Sequence, residues 1–97
     1  MIIPREIKLF NQTIKVIYSR TLMDKENAFG LWRCRNHTIY LQQSTRKNKL
    51  TKEQIEATFI HELTHACLYV MGEDKLSSNE KFVSTFSNLI HQFIEQI

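Results

Sequence analysis

The spacing of apolar positions changes halfway along this chain. Up to about residue 43 apolar and polar residues alternate in short runs, and beyond residue 51 the apolar positions recur every three or four residues. The first half therefore predicts strands. EIKLF (6–10) and TIKVIYS (13–19) are β-rich and are separated by Asn11-Gln12, which predicts a hairpin. In the second run Ile14, Val16 and Tyr18 alternate with Thr13, Lys15, Ile17 and Ser19, so one face is the more apolar. Residues 20–28 are polar and predict a loop or a short helical turn. FGLWRCR (29–35) and HTIYLQQ (37–43) follow, with Arg35-Asn36-His37 as the predicted turn; Ile39 and Leu41 share one face, Thr38 and Tyr40 the other.

The second half predicts two helices. Thr51 and Gln54 form a T-x-x-Q capping box, and Gly72 is a natural stop, so the first helix spans about 51–71. Ile55, Phe59, Leu63, Ala66 and Val70 form its core stripe. After the loop GEDKLS a second start signal falls at Ser77 to Asn79. From there Phe82, Val83, Phe86, Leu89, Ile90, Phe93, Ile94 and Ile97 form one amphipathic stripe that needs a partner surface. The fold class is α+β: a small, mainly antiparallel sheet packed against two helices, in a single domain over residues 1–97.

Composition narrows the classes. Apolar content of 42% supports one small core, and two glycines and one proline argue against a disordered or repetitive chain. MIIPREIKLF lacks the apolar core of a secretory signal, and no run approaches the ~18 apolar residues of a membrane span. Cys34 and Cys67 lie far apart and in no C-x-x-C pair, which fits a reducing compartment and not cysteine ligation. A cytoplasmic protein without a membrane partner is expected. The net charge is +3, and Arg46, Lys47, Lys49 and Lys52 cluster before the first helix. With no aromatic neighbours to stack on bases, this reads as a solvated loop more readily than as a nucleic-acid patch.

The chemistry concentrates at residues 61–65, HELTH. Between Ala57 and Met71 the only charged side chain is Glu62, and two histidines interrupt an otherwise apolar helix. At about 100° per residue His61 and His65 lie roughly 40° apart and one turn removed, so both rings reach one point off the surface. Glu62 projects beside the same point. Two neutral imidazoles of this spacing bind Zn²⁺, and the glutamate reaches the water that the ion activates. The ion lowers the pKa of that water to about 7, and Glu62 takes its proton as general base. The reaction class is amide hydrolysis. The bland reading is a solvent-facing histidine pair with a surface glutamate.

A catalytic zinc takes three protein ligands and keeps one position open. Leu68 and Met71 stand where the extended H-E-x-x-H-x-x-G-x-x-H pattern needs glycine and histidine, so the third ligand comes from elsewhere. The candidates are Glu73, Asp74, Glu80, His91 and Glu95. Glu80 leads, because packing of the second helix brings it towards the first. Against it, Ser77 and Glu80 spell S-x-x-E, a capping box that needs no metal. His91 and Glu80 share a helix face about 16 Å apart, so only one of them serves a given ion.

HELTH, a short loop, and a helix beginning Glu80-Lys81-Phe82-Val83 resemble the small zincin-type metallopeptidases of phages and mobile elements. The nearest group is the ImmA/IrrE-like family, with SprT-like proteins as a more distant parallel. FGLWRCRNHTIYLQ resembles the strand pair that precedes the active helix in that family. The similarity spans about residues 29–93 and is specific at the zinc motif. It implies a minimal zincin-like fold and a gluzincin-like site: His61 and His65 as ligands, Glu62 as base and Glu80 as third ligand. It also implies a protein or peptide substrate laid along a sheet edge, for which HTIYLQQ is the candidate; Trp32 and Tyr40 read as core or sheet-face packing more readily than as lining of the cleft, and Tyr69, on the histidine face, is a weaker candidate for stabilising the oxyanion. Two other functions stay open: a non-catalytic zinc-stabilised binding module or phage regulatory protein, and a basic nucleic-acid accessory protein using the 46–52 cluster. Oligomeric state is not readable from the sequence.

Overall fold

A computed structural model of the chain describes residues 1–97. Four strands and four helices run in the order β1 (Glu6–Leu9), β2 (Gln12–Ser19), α1 (Leu22–Glu26), β3 (Gly30–Arg33), β4 (Thr38–Gln42), α2 (Lys52–Met71), α3 (Asp74–Ser77) and α4 (Glu80–Ile94). The class is α+β. The sheet has the order β1-β2-β4-β3 and is mixed. The β1/β2 and β3/β4 hairpins are antiparallel, whereas the central pair β2/β4 is parallel, with Val16 opposite Ile39. The expectation of a mainly antiparallel sheet thus holds for the hairpins and fails at their junction. The chain leaves β2 through α1 and β3 and returns as β4 in the same direction. β4 is consequently an interior strand and not the free edge expected of HTIYLQQ; the edges are β1 and β3.

Turn chemistry shifts two boundaries. Leu9 pairs with Gln12, so the first turn is Phe10-Asn11 and not Asn11-Gln12, with Phe10 at φ 53° and 81% exposed. Arg33 pairs with Thr38, leaving 34–37 as the second turn and His37 at φ 50°.

Period-two alternation puts Ile14, Val16, Ile39 and Leu41 on one face, where they meet Phe59, Ile60 and Ala66 of α2. Ile14, Ile39 and Leu41 are wholly buried, each contributing about 1.5–3 kcal/mol of apolar transfer. Tyr18, expected on this face, lies near the strand end and is exposed. On the other face α1 covers the end of the sheet by burying Leu22, and Gln42 ties it down. The Gln42 amide donates to the Arg20 carbonyl at 2.9 Å, and its side-chain oxygen accepts from the Met23 amide at 2.8 Å.

The helix termini follow the sequence. Thr51 and Gln54 form the reciprocal capping box of α2, and Gly72, at φ 76°, ends it in the left-handed region. α2 buries more than the expected stripe: Glu56, Ile60, Glu62, Thr64 and Leu68 are buried beside Phe59 and Ala66. It is sandwiched between the sheet on one side and α3 and α4 on the other. α4 starts at Asn79, whose side chain accepts from the Phe82 amide at 3.1 Å, and runs back along α2. Its stripe divides. Val83, Ser87 and His91 are buried, with Ile90 and Ile94 partly so, whereas Phe86, Leu89 and Phe93 stay exposed. No helix is long and apolar enough to cross a membrane.

Candidate metal centre

α2 presents His61 and His65 one turn apart, with ring centroids separated by 5.2 Å. Gly72 turns the chain, α3 adds one turn, and the Asn79 cap starts α4 so that its first residue, Glu80, overhangs the two rings. Glu80 Oε2 lies 3.4 Å from His61 Nε2, and Oε1 lies 3.2 Å from His65 Nε2. One donor atom from each of the three residues falls within 4.8 Å of the others. The two short separations run to different Glu80 oxygens, and the three residues together could hold a metal ion. The donor set, two imidazoles and one carboxylate, is also that of a three-ligand zinc site with one open position.

The capping alternative for Glu80 does not occur. Asn79 caps α4, and Ser77 is the last residue of α3. Ser77 Oγ instead shares a 2.9 Å hydrogen bond with His65 Nδ1. Were Nε2 to bind a metal, Nδ1 would carry the proton and donate to Ser77 Oγ, the place of an outer partner of a metal-bound histidine. The other acids considered lie elsewhere: Glu73 precedes α3, Asp74 opens it, and Glu95 lies 3.8 Å from Nδ1 of His91. His91 itself faces Glu56 at 3.6 Å.

Glu62 sits between α2 and the edge strand β3. Close packing requires a glycine here: a Cβ on Gly30 would overlap Thr58 Cγ2 and approach Glu62 Cγ to 3.0 Å. Glu62 is 9% exposed, and its pKa is raised from 4.5 to about 7. Burial is the main cause and the Glu80 charge the second, while the Trp32 backbone amide facing the carboxylate pulls the other way. A carboxyl tuned near neutrality suits proton exchange at pH 7. Burial also lowers the pKa of His65, and His61 adds to that, against the opposing pull of Glu80. The lowered value keeps the ring neutral, the form that binds a metal.

The surroundings differ on the two sides. Towards Gly30 a cavity of about 340 Å³ opens beside His61 and Glu62, lined further by Phe29, Thr58, Ser84 and Asn88. Towards the far end of β3 the rings of Trp32, His37 and Tyr69 form a triangle with centroid separations of 5.6–6.4 Å. Tyr69 is thus engaged with aromatic neighbours. Tyr40 is not in the cleft: its hydroxyl accepts from Asn36 at 3.1 Å, and its side chain lines a depression beside Glu26 and Arg33. Along β3, Phe29 accepts from the Gln42 amide at 2.8 Å. By antiparallel alternation Leu31 and Arg33 also bond to β4, which leaves the backbone groups of Gly30 and Trp32 turned towards the site.

Two residues of this centre carried little sequence signal. Gly30 is one of only two glycines and interrupts a β-run, a mark of close backbone approach. Ser77 had none, because its contact depends on how α3 folds back. The basic cluster is separate from the centre. Lys47 pairs with Asp24 at 2.9 Å, and Arg46 and Lys49 line a depression with Arg20 at the start of α2. Cys34 and Cys67 are free thiols, and burial raises the pKa of Cys67. Comparison of the chain with known protein families, curated proteins and solved structures finds no match.

Proposed function

We propose that this chain is a zinc-dependent peptidase of the zincin type, with His61, His65 and Glu80 as ligands and Glu62 as general base. The observation that supports it most is the convergence of two Nε2 atoms and one carboxylate, from two helices, beside a buried glutamate whose pKa is raised to about 7. Zinc bound there supplies a Lewis acid that polarises a carbonyl and makes a bound water acidic near neutral pH. The residues do the rest. Glu62 accepts a proton from the attacking water and returns it to the departing amine. Burial leaves its carboxyl few competing partners. Ser77 holds the His65 ring, and Gly30 lets β3 lie close enough for its free edge, apart from the Trp32 amide that faces Glu62, to pair with an extended peptide. Strand addition of this kind gives affinity with little sequence selectivity. The reading agrees with the resemblance to ImmA/IrrE-like peptidases.

A zinc that only ties α4 to α2 is the competing reading, and one variant separates the two. Glu62→Gln is expected to retain zinc while hydrolysis of a denatured protein or a mixed peptide library falls at least about 100-fold. Equal cleavage by Glu62→Gln and parent rejects the base assignment. A zinc-loaded parent that cleaves nothing leaves the structural reading.

A further inference from the structure

The outward face of α4 has no partner within the chain. Phe86 is 44% exposed, Leu89 and Phe93 are each 59% exposed, and the Phe82 ring stacks on Phe86 at 5.7 Å. These residues stay exposed although the buried face of the helix, with Val83, also includes Ser87 and His91. Their spacing is four, three, four. Positions 82, 86, 89 and 93 therefore read the same in both directions, as a short heptad seam does.

We propose that this face pairs two copies of the chain, α4 against α4, antiparallel about a two-fold axis near Ser87 and Asn88. That axis sets Phe82 against the partner's Phe93 and Phe86 against the partner's Leu89. A two-fold contact uses one patch twice and so requires a self-complementary patch. At about 100° per residue Thr85 and Gln92 fall on one flank of the seam, and Ile90 on the other. No flank residue is charged, so two copies carrying +3 each meet without desolvating an ion. Beside the seam an apolar groove of about 440 Å³, lined by Leu63, Cys67, Leu68, Met71, Phe82 and Phe86, is placed to take the partner's Phe93. Phe86, Leu89, Phe93 and the 60%-exposed Met71 leave roughly 400 Å² of side chain open on each copy. Doubled by the two-fold and extended by the polar flank, this approaches the lower end of the roughly 1,200–2,000 Å² total of a specific interface, which fits a dimer of about micromolar affinity. Glu80, Ser84 and Asn88 lie on the far side of α4, so pairing leaves the metal centre open.

Sedimentation equilibrium of the full chain over about 1–500 μM tests this. The parent is expected to pass from 11.6 kDa towards twice that mass. Phe86→Lys is expected to stay monomeric throughout with an unchanged circular dichroism spectrum; Leu89→Lys, at a more exposed position, serves if Phe86→Lys does not fold. In Phe86→Lys/Leu89→Glu each lysine faces the partner's glutamate, and the dimer is expected to return. A monomeric parent at every concentration overturns the proposal and assigns the face to a different protein. Dimers of Phe86→Lys as tight as the parent's overturn it too. Failure of the double variant to re-associate rejects the antiparallel register.

Discussion

α2 and α4 meet at two groups of histidine and carboxylate, and the same residue types do different things in each. At one group the side chains of His61, His65 and Glu80 are 25%, 14% and 65% exposed, and one donor atom from each lies within 4.8 Å of the others, within reach of solvent. At the other, the Glu56 and His91 side chains are 8% and 11% exposed, and His91 Nε2 has no hydrogen-bond partner although Glu56 Oε1 is 3.6 Å away. Glu95 faces the opposite ring nitrogen at 3.8 Å, and the Met1 amino group lies 3.7 Å from the second Glu56 oxygen. The acids around His91 approach opposite sides of the ring, so no single ion can be shared. The first group is arranged as a site and the second as a clamp between two helices. Convergence and access separate them; residue identity does not.

The largest expected effect sharpens that contrast. His61→Ala or His65→Ala should abolish zinc retention in metal analysis of the purified protein, whereas His91→Ala should keep it in full. Loss of zinc from His91→Ala, or its retention by both of the others, would break the distinction. Next in size is stability. His91→Ala removes a buried ring packed between α2 and α4 beside Glu56, and should lower the free energy of unfolding by about 2 kcal/mol in urea titrations. Glu56→Leu/His91→Leu should recover most of that, because a packed apolar pair carries no desolvation cost. A single variant as stable as the parent would remove the clamp.

A pH dependence of similar size belongs to Glu62, beside the first group. Glu62 has its pKa raised from 4.5 to about 7 in the metal-free fold, so its protonated form is favoured there. Its contribution to stability is complete below pH 4.5 and declines by about 3 kcal/mol as pH rises through 7. His65 acts in the opposite sense. Its pKa is lowered from 6.5, so its contribution is present above 6.5 and is lost as pH falls through the depressed value. Urea midpoints in the presence of a chelator should therefore fall between pH 4.5 and 7 in the parent, and Glu62→Gln should remove that fall. The same fall in Glu62→Gln would assign it to other groups. Smallest is Ser77→Ala, expected to weaken zinc binding about tenfold through the freed His65 ring. An unchanged zinc affinity returns Ser77 to a loop role.

Much of this was legible in the sequence, and what was hidden follows one rule. The α2 capping box, the Gly72 stop and the shared face of His61 and His65 depend on residues within a few positions of one another, and they stand as read. Glu80 was reached by helix geometry, but its rival role as a cap could not be dismissed until Asn79 took the cap and Ser77 turned to His65. The division of the α4 stripe was invisible, because periodicity shows that a face is apolar and not which neighbour covers it. The parallel pairing of β2 with β4 was equally hidden, since either orientation satisfies the same alternation.

Backbone hydrogen bonding and side-chain period are local, so the primary structure carried the main strands and the two long helices, the ends of α2 and the two-histidine geometry with its neighbouring base, but not the two strand turns or α3 within GEDKLS. Meeting of distant segments is not local. The parallel junction that makes β3 the free edge beside Glu62, the return of α4 that sets Glu80 over the imidazoles, and the burial that raises the Glu62 pKa all arise when surfaces far apart along the chain compete for the same core. No window of sequence records the outcome of that competition.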